Sequence, residues 1–255
     1  MTKKPGAGGK KGAGKARGKM TGKAQGKKKG VSGRGKTERL RKSKGRKESS
    51  TRWLQRQLGD AYVAEAREQG LRSRSAFKLI ELDDRFRFLK PGLSVVDLGA
   101  APGGWTIVAA GRVNATGAGG GRQGRVVGMD LKETGPVAGA TLIRHDFTDG
   151  DAPGLLAEAL GGPADVVLSD MAAPSTGHAA TDHIRVTALL DAAFEFACRV
   201  LRPGGAFVGK AFKGGAEKDL LTAMKKRFRT VKHAKPPSSR KESAETYVVA
   251  LGFKG

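Results

Sequence analysis

The sequence predicts an α/β domain with a mostly parallel, doubly wound sheet and helices on both faces. Three observations carry that expectation. Short apolar segments with strand character alternate with helix-like segments from Leu93 to Phe253, the pattern of a parallel sheet joined by crossover helices. The run Val95-Val96-Asp97-Leu98-Gly99-Ala100-Ala101-Pro102-Gly103-Gly104-Trp105 takes an apolar strand through a glycine-rich turn into a helix. Four acids, Asp97, Asp130, Asp146 and Asp170, fall at or just past strand ends, where sheets of this class bind ligands.

The elements follow in order. Ser49 to Gly70 reads as a helix, with Ser49, Ser50 or Thr51 as its cap and Trp53, Leu54, Leu58, Tyr62 and Ala66 at helical spacing. A second helix covers Ser75 to Phe88, and Pro91-Gly92 punctuates. Leu93–Leu98 is a buried strand and Trp105–Val113 a helix. Arg125–Met129 is a strand ending at Asp130. Thr141–Arg144 is a weaker strand before His145-Asp146. Ala152–Leu160 is helical, Ala164–Ser169 is a strand ending at Asp170, and Ile184–Leu201 is a long helix. Gly205–Phe212 is a strand, Ala216–Phe228 a helix and Thr246–Phe253 the last strand. The glycine-rich stretch Ala115–Gln123 reads as a flexible loop insertion.

Charge divides the chain of 255 residues, whose formal net charge is +24. Residues 1–48 hold 19 Lys/Arg against two acids, Glu38 and Glu48, and almost no large apolar side chain. Such a segment buries too little surface to offset the entropy of ordering, so a disordered basic tail is expected. Residues 49–255 suit one domain. A Lys/Gly-rich tail favours a polyanion, RNA or DNA, through counterion release. No apolar run approaches the ~20 residues of a membrane span, and no apolar segment follows the N-terminal charges as secretion would require. A cytoplasmic protein is expected. The single cysteine, Cys198, lies in an apolar helical stretch and reads as a core residue. It excludes an intrachain disulfide and a cysteine zinc site, and the four histidines show no ligand spacing, so no metal is expected.

The chemistry-bearing residues are few. Asp97, Gly99 and Gly103 form Asp-x-Gly-x-x-x-Gly. That is not the dinucleotide pattern G-x-G-x-x-G; it looks like the S-adenosylmethionine (SAM) loop of Rossmann-like methyltransferases. Gly103 would bring the backbone, and Trp105 an aromatic wall, against a ligand, although Trp105 also suits the core. Asp130 sits where nucleotide-binding folds place a ribose acceptor, and Asp146 suits an adenine amino group. Lys210 lies in the apolar strand Ala206-Phe207-Val208-Gly209-Lys210-Ala211-Phe212, where lysine is almost never buried without a reason. Near Asp170 it is a candidate general base or positioning cation. Taken alone, Lys78 is an ordinary helix lysine and Glu245 an unremarkable acid at a strand start. Arg72, Arg74, Ser238, Ser239, Arg240 and Lys241 form two basic, hydroxyl-rich segments suited to phosphate or to plain solvent.

Together the chain resembles the FtsJ/RrmJ family of RNA 2′-O-methyltransferases over residues 50–254. The motifs are Ser50-Thr51-Arg52-Trp53-Leu54, Gly70-Leu71-Arg72-Ser73-Arg74, Phe77-Lys78-Leu79, Val95–Trp105, Ser169-Asp170-Met171-Ala172, Phe207–Phe212 and Lys235-Pro236-Pro237-Ser238-Ser239-Arg240. The resemblance implies a catalytic tetrad of Lys78, Asp170, Lys210 and Glu245. It implies SAM contacts at Gly103, Trp105, Asp130, Asp146 and Asp170, and no metal. It further implies a monomer that methylates a uridine ribose of large-subunit (23S) ribosomal RNA on the assembled subunit. Where the family often has Pro-Asn after Ser-Asp-Met-Ala, this chain has Ala173-Pro174-Ser175. Rival expectations are a 2′-O-methyltransferase of tRNA or another RNA, a non-enzymatic RNA-binding ribosome-assembly factor, and an NAD-dependent oxidoreductase. The last lacks the third glycine.

Overall fold

A computed structural model describes residues 60–213 and 218–255. The expected basic tail, residues 1–48, and the first part of the expected opening helix lie outside the described residues. The described helix α1 spans Ala61–Glu68. Asp60 is extended, and its side chain caps the helix by accepting from the Tyr62 amide at 3.1 Å. One continuous helix over 49–70 is therefore corrected: Asp60 is extended, and the described helix begins only after it. Helix α2 is Ser75–Phe86, β1 Ser94–Leu98 and α3 Gly104–Arg112. Strands β2 (Arg125–Asp130) and β3 (Ala140–Arg144) precede helix α4, Ala152–Leu160. Then come β4 (Ala164–Ser169), α5 (Ala179–Val200), β5 (Leu201–Phe212) and α6 (Lys218–Arg227). Strands β6 (Phe228–Ala234) and β7 (Glu245–Phe253) close the order.

The seven strands form one sheet in the order β3-β2-β1-β4-β5-β7-β6. All neighbouring pairs are parallel except those made by β7, which is antiparallel to β5 and β6. The order reverses between β1 and β4, so a crevice opens beyond their carboxyl ends. Period-2 alternation sends side chains to two cores. On one face Val96, Val167, Phe207 and Val248 pack against Leu156 of α4, Phe194 and Phe196 of α5 and Met224 of α6. On the other, Val95, Leu168, Val208 and Tyr247 pack against Leu79 and Leu82 of α2 and Trp105 and Ala109 of α3. The doubly wound expectation holds.

Strand β6 is the element that sequence reading missed. Only its two ends are buried, leaving Arg229, Thr230, Lys232 and His233 exposed, so it carries little apolar signal, and the expected helix ran on to Phe228. Phe228 instead turns in to meet Phe194 and Phe253, with ring centroids 6.3 and 5.2 Å away. Strand β5 also starts four residues earlier than expected, at Leu201, with an irregular register against β4 around Ala164–Val166. The glycine-rich insertion is tied down. Asn114 Nδ2 donates to the Gly120 carbonyl (2.8 Å), Asn114 Oδ1 accepts from the Gly119 amide (2.9 Å), and Gln123 donates to the Ala115 carbonyl (2.7 Å). Cys198 is half-buried against the first core, and burial pushes its thiol pKa up.

Phe228→Ala should cost about 3–5 kcal/mol, the range for a buried aromatic, read as a lower urea midpoint. A change below about 1 kcal/mol would mean that β6 is not fastened to the core through this ring.

Candidate functional site

The site stands where β4, β5 and β7 lie side by side. Lys210 of β5 pairs directly with Tyr247 of β7, and Phe212 pairs with Glu245. Residues two apart share a face, so Lys210, Tyr247 and Glu245 project to the α2–α3 side. Asp170, two residues beyond Leu168 of β4, continues that same face. Because β7 is antiparallel, its first residue, Glu245, meets the carboxyl ends of β4 and β5.

The contacts form a chain. Lys210 Nζ lies 2.9 Å from Asp170 Oδ1 and 3.7 Å from Glu245 Oε2, and it donates to the Asp170 carbonyl at 2.9 Å. Lys78 Nζ, from α2, reaches Glu245 Oε1 at 2.7 Å. The structure thus brings all four expected catalytic residues together. Two further side chains complete the cluster. The Tyr247 hydroxyl donates to Asp170 Oδ1 at 2.6 Å, and the Ser239 hydroxyl donates to Glu245 Oε1 at 3.0 Å.

Lys210 is 8% exposed, so it does not reach out to solvent. Burial alone would favour the neutral amine. The carboxylates of Asp170 and Glu245 outweigh it and hold the ammonium above the ordinary lysine range. Burial opposes the Glu245 carboxylate too, but the charges of Lys78 and Lys210 hold its pKa below the usual value. Burial and both carboxylates push the Tyr247 phenol well up, so it stays a donor.

Beside the tetrad lies a cleft of about 790 Å³ lined by Gly99, Asp130, Leu131, Asp146, Asp170 and Met171 among others. Gly99 has φ +76, and a Cβ there would strike Met171, so the turn requires glycine. Asp130 organises the turn: Oδ2 accepts from the Ala101 amide (2.9 Å) and Oδ1 from the Lys132 amide (2.8 Å). Asp146 Oδ1 accepts from the Thr148 hydroxyl (2.7 Å) and amide (2.9 Å), and these bonds lower its pKa. Gly103 caps α3 at φ +104 with no side-chain cap bond. Trp105 stands apart from the cleft lining. It is 3% exposed, its indole donates to the Ser75 carbonyl at 2.8 Å, and its ring lies 5.6 Å from that of Tyr247. Its place is the core beneath the site.

The arginines of the two basic segments are engaged within the protein, while Lys241 stays exposed. Arg72 donates to the carbonyls of Pro102, Gly135 and Pro136 and staples the glycine turn to the loop after Asp130. Arg74 donates to Asp60 and to the Ser238 carbonyl. The Ser238 amide and hydroxyl donate to Glu81 Oε2 at 2.9 and 2.7 Å, and Arg240 reaches Asp60 at 3.3 Å. Residues 72–74 and 238–240 therefore lock to each other and hold the loop that delivers Ser239 and Glu245. His145 Nε2 lies 2.9 Å from Asp151 and 3.6 Å from Asp149. The three offer ligand atoms within 4.8 Å of one another, an exposed grouping that spacing along the sequence had not suggested.

A fold of this strand order with an acid-lined cleft beyond β1 and β4 is a doubly wound α/β protein with its crevice at the switch point, and its relatives narrow the class. Residues 71–253 match the model of the FtsJ-like methyltransferase family. "Ribosomal RNA large subunit methyltransferase E" of Paramagnetospirillum magneticum is 62% identical over 219 residues, 86% of this chain and 89% of that protein. Its namesake in Rhodospirillum rubrum is 61% identical over 217 residues, 85% of this chain and 81% of that one. A crystal structure described as a ribosomal RNA methyltransferase of Plasmodium falciparum superposes with a TM-score of 0.64 at 29% identity, covering 72% of this chain and 99% of that one. The chain belongs to the FtsJ-like methyltransferase family.

Asp97, at the end of β1, generates a pH prediction. It is fully buried, accepts from Thr106 Oγ1 at 2.6 Å through Oδ2, and Oδ1 has no partner. Burial raises its pKa to about 7 despite the Thr106 bond. A raised folded pKa means that the favourable contribution is whole below the unfolded value near 3.8 and is lost as pH rises to about 7. Asp97→Asn should therefore gain stability relative to the wild type between pH 5 and pH 8, on the order of a few kcal/mol. A pH-independent gap between their urea midpoints would contradict this.

Proposed function

We propose that the protein transfers the methyl group of SAM to the ribose 2′-hydroxyl of a uridine in large-subunit ribosomal RNA, acting on the assembled subunit as a cytoplasmic monomer. The observation that carries the reading is the buried Lys78–Glu245–Lys210–Asp170 chain beside a cleft at the switch point. The names of the relatives support ribosomal RNA as acceptor. The family resemblance supports the 2′-oxygen, the uridine and the assembled subunit. Among the described residues no helix is long and apolar enough to cross a membrane.

The cleft fits the proposed donor. It has room for a nucleoside, and its wall offers acceptors, Asp130 for the ribose hydroxyls, Asp146 for the adenine amine and Asp170 toward the positively charged end, alongside the cations Lys132 and Arg185. Gly103 leaves the turn without a side chain, and Trp105 supports it from beneath. When bound, SAM supplies a methyl group already activated on a sulfonium, so alignment provides much of the rate, on the order of several kcal/mol.

The residues of the tetrad divide the remaining work. With its ammonium held by two carboxylates, Lys210 donates to the acceptor oxygen, orients it and stabilises the negative charge that grows there as the hydroxyl proton passes to solvent water. Asp170 holds Lys210 at the cleft wall. Glu245 couples Lys210 to Lys78, and Ser239 and Tyr247 hold the two carboxylates in place. If Lys210 were instead the general base, it would have to lose its proton before accepting another.

Transfer of labelled methyl from SAM to naked ribosomal RNA, isolated large subunits and tRNA, with the product mapped, tests the function. Methylation of a ribose in large-subunit RNA is expected, with a loss of about 10²-fold or more in Lys210→Ala. Methylation of tRNA alone would replace the acceptor. No transfer despite SAM binding would favour an assembly factor. Lys210→Arg separates the two roles of the lysine, because arginine cannot deprotonate. Substantial activity with an unchanged pH profile supports the positioning cation; inactivity together with intact SAM binding supports the base.

A further inference from the structure

Helix α6 and strand β6 form an edge of the domain that the proposed reaction does not use. From Leu220 to Pro236 the chain carries Lys225, Lys226, Arg227, Arg229, Lys232 and Lys235 and no acid. Among the described residues strand β6 is the last in the sheet and pairs only with β7. Lys225, Lys226, Arg229 and Lys232 are exposed, and none of the four has a carboxylate partner among the described residues. The surface beneath them is fixed. Lys254 Nζ donates to the carbonyls of Lys225 (3.2 Å) and Lys226 (3.0 Å), and Arg227 lies 5.3 Å over the Phe253 ring. The Arg229 stem covers Gly252, where a Cβ would sit 3.1 Å away.

The direction of the strands gives this edge its meaning. β6 runs parallel to β5, both being antiparallel to β7. The end of α6 and the start of β6 therefore lie at the end of the sheet opposite the tetrad. Strand β6 then climbs seven residues, roughly 23 Å at ~3.3 Å per residue, to Ala234. There the chain enters the loop that delivers Ser239 and Glu245 to the site. The cations thus run from the far end of the domain to the reaction centre.

We infer that the α6–β6 edge is a docking track for the sugar–phosphate backbone of a double-helical RNA segment that flanks the target nucleotide. The inference rests on an RNA acceptor at the tetrad. A cationic last turn favours its own helix dipole, and a lysine on an edge strand prevents edge-to-edge pairing. Those two effects explain Lys225 or Lys232 singly. They do not require an acid-free row joining the helix end to the active loop, which phosphate contact does.

The test uses the full chain carrying Lys225→Gln, Lys226→Gln, Arg229→Gln and Lys232→Gln together. A second variant, Lys226→Gln/Lys232→Gln, serves should the first fold poorly; thermal midpoints and gel filtration verify both. Binding is followed by fluorescence anisotropy across a salt series. One probe is a ribosomal RNA fragment holding the target nucleotide and its flanking helix; the other is a short single strand. The quadruple variant should bind the structured fragment at least 10-fold more weakly, with a log–log salt slope shallower by about 2–4, near 0.9 per lost phosphate contact. The double variant should show about half that change. Binding of the short strand should stay as in the wild type. An unchanged slope and affinity for the structured fragment, in variants of a wild type that methylates large-subunit RNA in isolated subunits, overturns the track and leaves the proposed function standing. A weakened variant whose wild type methylates no ribosomal RNA overturns the proposed function and leaves the track as an RNA-binding edge.

Discussion

Everything at the site depends on keeping one ammonium buried on β5. An isolated charge in the interior costs several kcal/mol after relaxation, and its attraction to a counter-ion compensates only when the geometry is good and the remaining donors are bonded. Lys210 meets both conditions with the Asp170 carboxylate, the Asp170 carbonyl and Glu245. That requirement constrains the sheet. A strand order that puts β4 and β7 on either side of β5 is what brings an acid from each flank to one lysine. A network of this kind is costly to break, because removing either carboxylate strands the positive charge that the other compensates only in part.

The constraint propagates outward through hydrogen bonds. Asp170 and Glu245 must point at Lys210, and each is steered by a neutral donor, Tyr247 and Ser239 respectively. Ser239 belongs to the loop between β6 and β7, a segment with no strand or helix of its own. Its position is imposed from outside: Glu81 of α2 grips Ser238, and Arg74 ties the Ser238 carbonyl to Asp60. The N-terminal helices therefore do more than cover one face of the sheet. They carry Lys78 into the tetrad and clamp the loop opposite.

Much of this was legible in the sequence, and the residues show where legibility stops. The strand ends and their acids follow from local pattern, and Lys210 stands out because an apolar strand tolerates no idle lysine. Its protonation was not legible, since it depends on how closely two carboxylates from other strands approach. Arg72 and Arg74 looked like phosphate ligands because their partners lie 14 to 164 residues away, which no local pattern records. Trp105 followed the glycine turn as an aromatic wall should, yet its indole turns into the core toward Ser75. Strand β6 escaped because an exposed edge strand whose cations, Arg229 and Lys232, fall three residues apart resembles the continuation of a basic helix. The trio His145, Asp149 and Asp151 appears only when the turn after Asp146 folds back.

Glu245 illustrates why topology, more than motif, makes the centre. An acid at the start of a strand is unremarkable in a parallel sheet, where strand starts lie far from the ligand. Reversal of β7 exchanges the two ends of that strand. Its first residue then stands among the carboxyl ends of its neighbours, and the pairing of Phe212 with Glu245 sets it one pleat from Lys210. The same reversal orients Tyr247 directly across from Lys210 and beneath Asp170. A single antiparallel strand in an otherwise parallel sheet thus lets a third backbone segment contribute to a site that the crossover pattern alone would build from loops. It does so on rigid strands, where positions are held by the ladder itself.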